Sequence, residues 1–115
     1  PAAGGYRRGS GIGKGGWFVS KFAGRVYLDS SYELAYAAFL EKNEINWIRN
    51  IKRFPYEWEG STKNYIPDFY LPDEDLYVEI KGFETEKDEA KWKFFPYKLK
   101  VLYRNDLIES KIIGR

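Results

Sequence analysis

Apolar and polar positions alternate loosely from Trp17 to Leu28, with Gly24 as a break, and predict a strand or irregular hairpin leading into the core. The pattern then changes period. Ser30, followed three residues on by Glu33, marks a helix start with a capping box. Leu34, Ala35, Ala37, Ala38, Phe39 and Leu40 cover nearly the whole circumference of a helix running to about Asn43, so a core helix is expected. Short β-type runs follow: Ile45 to Arg49, then Phe54 to Glu59 with a turn at Glu59 to Thr62. Tyr65 to Leu71 and Leu76 to Ile80 read as two further strands joined by the turn Pro72-Asp73-Glu74-Asp75, completing a three-strand meander. Glu57 and Glu59 alternate with Tyr56 and Trp58 and should face solvent. Acids early and lysines late predict a second helix over Glu84 to Phe95, ended by Pro96. Lys100 to Tyr103 is a last strand, and Asp106 caps a short helix to about Ile112. The order helix, three strands, helix, strand is that of an α/β domain.

Residues 1–16 stand apart from this pattern. The segment is Gly-rich and basic and reads as a flexible arm, with a single domain over 17–115. Gly11, Gly13 and Gly16 satisfy G-x-G-x-x-G, but no strand precedes them and no helix opens from them, so a dinucleotide site is rejected.

Composition removes several chemistries. The chain has no Cys and no His, which excludes disulfides, thiolate or imidazole metal sites and His-based catalysis. Ten Tyr, eight Phe and four Trp in 115 residues serve a dense core, or stack on bases, with core the default for most of them. The aromatics around Trp17 to Phe22 look exposed and suit a subunit interface. The net charge of +2 hides an asymmetry: residues 1–28 carry Arg7, Arg8, Lys14, Lys21 and Arg25 with no acid, whereas the rest carries fourteen bases and seventeen acids. Such an arm either follows a phosphate backbone or is a solubilising tail. Lys87 and Lys91, four apart on one helix face, either hold phosphates or pair with Asp88 and Glu84. With no apolar run of membrane length and no signal-peptide pattern, a soluble intracellular protein without a membrane partner is expected.

The candidate chemistry sits between Asn64 and Gly82. Glu79 and Lys81 are two apart on a strand and project to the same face, and a bend at Pro67 could turn the Asp68 carboxylate towards them. Two carboxylates and an ammonium gathered there call for a cation or a phosphate to join them. Glu33 has two readings, as a capping residue and as a third acid leaning towards Asp68 and Glu79.

Pro67-Asp68, ten intervening residues, then Glu79-x-Lys81 followed by Gly82, resembles the motif of the PD-(D/E)XK nuclease superfamily. The blocks Ser30-Ser-Tyr-Glu33, Tyr65-x-Pro-Asp-Phe-Tyr70 and Tyr77-Val-Glu-Ile-Lys-Gly82, with the lead-in Lys14-Gly-Gly-Trp17, look like phage-type homing endonucleases of that superfamily. The three blocks, without the lead-in, also look like the phage Holliday-junction-resolving endonuclease I family. The likeness covers about residues 17–104. It implies a restriction-endonuclease-like αβββαβ core with a mixed central sheet flanked by helices. It also implies Glu33, Asp68, Glu79 and Lys81 as the catalytic set. The Mg²⁺ ligands would be Asp68, Glu79, Glu33 and the carbonyl of Ile80, with Mn²⁺ able to take the place of Mg²⁺. The implied activity is DNA endonucleolysis by a homodimer, of the homing type or, alternatively, the junction-resolving type. A non-catalytic nuclease-fold DNA-binding module is the competing reading from a different class. Arg7, Arg8, Lys14, Lys21, Arg25, Lys87 and Lys91 are the candidate DNA contacts.

Overall fold

The computed structural model describes residues 13–114 and opens on an antiparallel hairpin, β1 (Lys14–Ser20) and β2 (Gly24–Ser30). Trp17 pairs with Tyr27 and Phe18 with Val26, so alternate positions divide between two faces. Phe18, Phe22, Val26 and Leu28 turn to the core, whereas Trp17, Val19 and Tyr27 face outward. The expected exposed aromatic stretch from Trp17 to Phe22 is therefore split by strand alternation. The strand also begins inside the segment expected to be a flexible arm. The Gly13 N–H donates to Ser31 Oγ at 2.9 Å, and its carbonyl accepts from the Ser31 N–H at 3.2 Å. At Gly15 a Cβ would lie 1.8 Å from the Leu28 carbonyl oxygen. Glycine is present there for close backbone approach, not for flexibility. Arg7 and Arg8 lie outside the described residues.

The first helix, α1 (Ser31–Lys42), buries Tyr32, Glu33, Tyr36, Ala37 and Leu40. Ser30 caps it as expected, accepting the Glu33 N–H at 3.1 Å. The Glu33 carboxylate, however, takes the Asp29 N–H at 3.1 Å, one residue beyond the partner a capping box would give it. The strand expected over Ile45 to Arg49 shortens to β3 (Ile48–Arg49). Its first half is used otherwise: the Ile45 N–H closes the helix end on the Leu40 carbonyl, and fully buried Trp47 donates Nε1–H to Glu41 at 2.8 Å.

Strands β4 (Phe54–Trp58) and β5 (Ser61–Tyr65) form a hairpin of their own. Positive φ at both Glu59 and Gly60 suits its tight turn, and Glu57 and Glu59 are exposed as expected. The run from Tyr65 to Leu71 is not one strand. Tyr65 ends β5 opposite Phe54, and β6 (Phe69–Leu71) starts a different pairing opposite Val78. Pro67, which has no N–H for a ladder, lies at the break. A short 3-10 turn, Pro72–Glu74, leads into β7 (Leu76–Lys81). Helix α2 (Glu86–Lys93) begins two residues later than expected, because Thr85 caps it with Asp88 in a capping box. It carries the chain to β8 (Leu99–Tyr103), which lies parallel to β7. In the last helix, α3 (Arg104–Glu109), Asp106 stands inside the first turn and accepts the Tyr103 N–H at 2.8 Å, rather than preceding the helix as its cap.

The principal sheet is thus four-stranded and mixed, in the order β3, β6, β7, β8, with β3, β6 and β7 antiparallel. The expected meander of consecutive strands is replaced by a sheet from which the β4–β5 hairpin is excluded. One sheet face presents Phe69, Val78, Ile80 and Leu102 to a core closed by α1 and Trp47. On the other, Tyr77 meets Phe54, Phe95 and Tyr97 edge-on or tilted, with centroids 5.2–5.9 Å away. Most of the aromatic richness is therefore structural. The fold is α/β, and among the described residues no helix is long and apolar enough to cross a membrane.

Candidate active site

The free end of β7 is where the predicted residues converge. β6 pairs only as far as Phe69 with Val78, so Glu79, Ile80 and Lys81 run past it on that edge. The Tyr77 N–H points to β8, bonding the Lys98 carbonyl, and backbone alternation turns both the N–H and the carbonyl of Ile80 to the opposite edge. There Asp68 Oδ2 accepts the Ile80 N–H at 2.8 Å. A side chain thus completes the ladder where the bend has removed the backbone.

That bend is itself held. Asn50, a buried polar residue, donates Nδ2–H to the Pro67 carbonyl at 2.9 Å and to the Lys52 carbonyl at 3.1 Å, and its Oδ1 accepts the Lys52 N–H. Its backbone N–H reaches the Asp68 carbonyl at 3.2 Å. Both the side chain and the main chain of Asn50 thus fix where Asp68 points.

Glu79 and Lys81 project together, away from the α1 core. Glu79 is buried, accepts Tyr65 Oη–H at 3.0 Å, and has Lys81 Nζ at 3.9 Å from its other oxygen. Lys81 is closer to Asp88, at 3.0 Å. Asp88 is 3 % exposed and divides its oxygens: Oδ2 accepts from Thr85 at the start of α2, while Oδ1 receives Lys81 and, at 3.2 Å, Lys91. On the other sheet face, with Phe69, stands Arg49. Its Nη2 meets Asp29 at 2.7 Å, and its Nη1 lies 3.3 Å from Glu33, 3.0 Å from the Asp68 carbonyl and 3.7 Å from the Asp68 carboxylate.

The electrostatics follow from burial. Glu33 is pushed up to about 7, chiefly by burial and then by the Asp68 charge, with Arg49 working the other way. Asp68 and Glu79 are both raised. Burial is the main cause for each, and the charge of Glu79 adds to it at Asp68, while Lys81 and the Tyr65 hydrogen bond oppose it at Glu79. Burial also disfavours the Asp88 anion, yet the Lys81 hydrogen bond and charge outweigh it and hold that carboxyl below its ordinary value. The site therefore carries three carboxyls short of positive charge beside one that has a surplus.

A cleft of about 350 Å³ opens beside these groups, lined among others by Ser30, Glu33, Ile80, Lys81, Lys87 and Lys91. Asp68 and Glu79 are not in its lining. Among the described residues no three carboxylates stand together as a group able to hold a metal ion. Glu33 Oε1 is engaged by the Asp29 amide and by Arg49. What remains together is Asp68, Glu79 and the edge-facing Ile80 carbonyl, an all-oxygen set short of positive charge, and its chemistry suits a hard divalent cation.

Of the predicted residues, the fold gathers Glu33, Asp68, Glu79, Ile80 and Lys81, with Lys87 and Lys91 on the cleft wall. Of the pairings expected on this helix, that of Lys91 with Asp88 is made. Lys14 stands opposite Ser30, at the hairpin end nearest the cleft. Lys21 and Arg25 are carried to the other end of the hairpin, roughly 20 Å along the strand. There Lys21 lies 3.5 Å from Glu44, and the Arg25 guanidinium lies 3.9 Å over the Trp17 ring. Arg49 and Asn50 join the site without having been expected there, and Asp88, expected only as a partner for the helix lysines, also holds Lys81. Buried carboxylates and an ammonium need counter-charges, but the sequence does not single out Arg49 from the nearby Lys52 and Arg53, nor Asp88 from the acids around it. Asn50 lacks even that general argument. Compared with family models, curated proteins and solved structures, the chain matches none.

Proposed function

We propose that the chain is a Mg²⁺-dependent DNA endonuclease with a restriction-endonuclease-like core. The observation that carries this reading is the convergence at the end of β7. Glu79 and Lys81 share one strand face, and the Pro67 bend sets the Asp68 carboxylate on the Ile80 amide beside them. The order α1, antiparallel β-strands, α2 and a parallel β8 supports the same reading.

Asp68, Glu79 and the Ile80 carbonyl would hold the cation, with Glu33 nearby on α1. Bound Mg²⁺ supplies polarisation of the scissile phosphate and a more acidic water. The remaining work belongs to the chain's own groups. Lys81 presents its ammonium where negative charge grows on the phosphate during hydrolysis. Tyr65 holds Glu79 in its orientation by donating to one carboxylate oxygen. Lys87 and Lys91 line the cleft wall, where they would meet phosphates of a bound strand. One domain of this size holds one such site, so cutting both strands calls for a homodimer. The outward Trp17, Val19 and Tyr27 of the hairpin suit that contact.

The test is nicking of supercoiled plasmid in Mg²⁺ or Mn²⁺ by wild type, Asp68→Asn and Glu79→Gln. Cleavage abolished in both variants, with DNA affinity kept within a few-fold, supports the assignment; turnover near wild type in either one removes it. A four-way junction assayed beside a linear duplex library separates the resolving type from the homing type. The pairings of Arg49 with Asp29 and Glu33, and of Asp88 with Lys81, favour a second reading in which the charges neutralise one another around a non-catalytic DNA-binding module. DNA binding without cleavage in either metal would select it.

A further inference from the structure

Arg49 is the one guanidinium among the described residues set within the acidic site, and it is held there by more than one carboxylate. It reaches the site from β3, the two-residue edge strand, with its side chain on the same sheet face as Phe69. Nη2 takes Asp29 at 2.7 Å, while Nη1 spans Glu33 at 3.3 Å, the Asp68 carbonyl at 3.0 Å and the Asp68 carboxylate at 3.7 Å. Only 19 % of the side chain is exposed, so its charge is weakly screened by solvent. A planar fork of this kind suits bridging between carboxylates in a way an ammonium cannot.

We propose that Arg49 is a built-in counter-cation that holds the acidic site together when no metal ion is bound, and that it opposes entry of a divalent cation. The inference rests on the reading of Asp68 and Glu79 as a cation site. Two physical consequences follow. A cation placed on the Asp68 carboxylate meets the guanidinium charge within a few ångströms, in a partly buried place where such repulsion is strong. In addition, Arg49 engages Glu33 Oε1, which leaves that carboxylate only its other oxygen to offer beside Asp68 and Glu79. Binding of the cation therefore requires the guanidinium to swing away from Glu33 and Asp68, using Asp29, which is 68 % exposed, as the outer anchor. The arrangement makes cation affinity low in the free protein and lets anything that draws the guanidinium outward, a DNA phosphate above all, raise it.

The experiment is calorimetric titration of Mn²⁺ into the full chain without DNA, for wild type, Arg49→Gln and Arg49→Lys, with Asp68→Asn as a control for the site. Arg49→Gln should bind Mn²⁺ about tenfold tighter than wild type or more. Arg49→Lys, which keeps the charge, should stay within about threefold of wild type. Because Arg49→Gln leaves carboxylates unpaired and loosens the fold, thermal melts with and without Mn²⁺ provide a second readout. The variant should melt well below wild type without the ion, and saturating Mn²⁺ should close most of that gap. If both proteins bind Mn²⁺ through Asp68 but Arg49→Gln binds it no tighter, or the melting gap stays open, the inference is wrong and the metal site stands. Equal tightening in Arg49→Lys overturns the charge competition in the same way. If no protein in the set binds Mn²⁺, the cation site itself is wrong and the inference falls with it.

Discussion

The Lys81 ammonium lies 3.0 Å from the Asp88 carboxylate and 3.9 Å from Glu79, so the lysine that shares a strand face with one acid is held by another, on the following helix. Asp88 Oδ1 also carries Lys91, and its Oδ2 closes the start of α2. One buried carboxyl thereby sets the helix start and the positions of two cations at once.

Replacing Asp88 should consequently separate capping from positioning. Asp88→Asn keeps an oxygen to accept the Thr85 N–H but loses the charge that holds Lys81 and Lys91. The expected loss of stability is about 1–3 kcal/mol by urea unfolding, since a charged hydrogen-bonded group is removed from a buried place. Cleavage of plasmid DNA should fall by more than tenfold, and DNA affinity should change little. Activity equal to wild type at unchanged stability would mean that Lys81 needs no such support.

The acids on the other side of the site predict an unusual pH dependence. The folded Glu33 pKa is raised from 4.5 to about 7, so the native state binds the proton more tightly than the unfolded chain does. Its contribution is then fully present below about pH 4.5 and is lost as pH rises through about 7, in an amount on the order of 3 kcal/mol. Asp68 and Glu79 are raised as well and act in the same direction. The metal-free protein should therefore melt higher at pH 5 than at pH 8. Glu33→Gln, which keeps an acceptor for the Asp29 N–H, should flatten part of that slope. A melting temperature that rises from pH 5 to pH 8 would contradict the burial of these groups.

What the sequence carried, and what it did not, divides along physical lines. The start of the first helix was legible because Ser30 is a local device whose partner lies three residues on, whereas the equally local Thr85–Asp88 box passed unread among the surrounding acids. Glu79 and Lys81 were legible because strand periodicity alone puts them together. The split of Tyr65 to Leu71 was hidden because both halves look like the same strand, and only the pairing partners, Phe54 for one and Val78 for the other, tell them apart. Gly15 was misread for a related reason: a Gly-rich stretch looks flexible until the β2 backbone is placed against it. Arg49 and Asn50 reach Asp68 across an antiparallel contact between residues about twenty apart, and no local signal marks such a pairing.

Asn50 provides the sharpest test of how Asp68 is held. Asn50→Ala would leave the buried Pro67 carbonyl, and the part-buried Lys52 carbonyl with it, without their side-chain donor, a change expected to lower stability by roughly 2–3 kcal/mol. Asn50→Asp should be worse, since it replaces a donor by an anion facing those carbonyls. Both are read by urea unfolding, with Lys52→Ala, on an exposed neighbour, as the control within about 0.5 kcal/mol. A mild effect in both Asn50 variants would show that the bend at Pro67 holds without this clamp.

The cations can be sorted by where they stand. Lys87 lines the cleft, and no ion pair engages it among the described residues, whereas Lys21 sits at the far end of the hairpin beside Glu44. If the phosphate backbone runs through the cleft, Lys87→Ala should weaken DNA binding and lower the slope of log affinity against log salt by about 1. Lys21→Ala should leave both nearly unchanged. Removing residues 1–12 deletes Arg7 and Arg8, and if both touch phosphate it lowers the slope by about 2 without moving the cut site, because a phosphate contact carries no base information. Titrations at several salt concentrations on one duplex, with a catalytically silent Asp68→Asn background, give all three slopes. A slope lowered by Lys21→Ala and unchanged by Lys87→Ala would place the DNA path along the hairpin and away from the cleft, and with it would go the assignment of Lys87 as a phosphate contact.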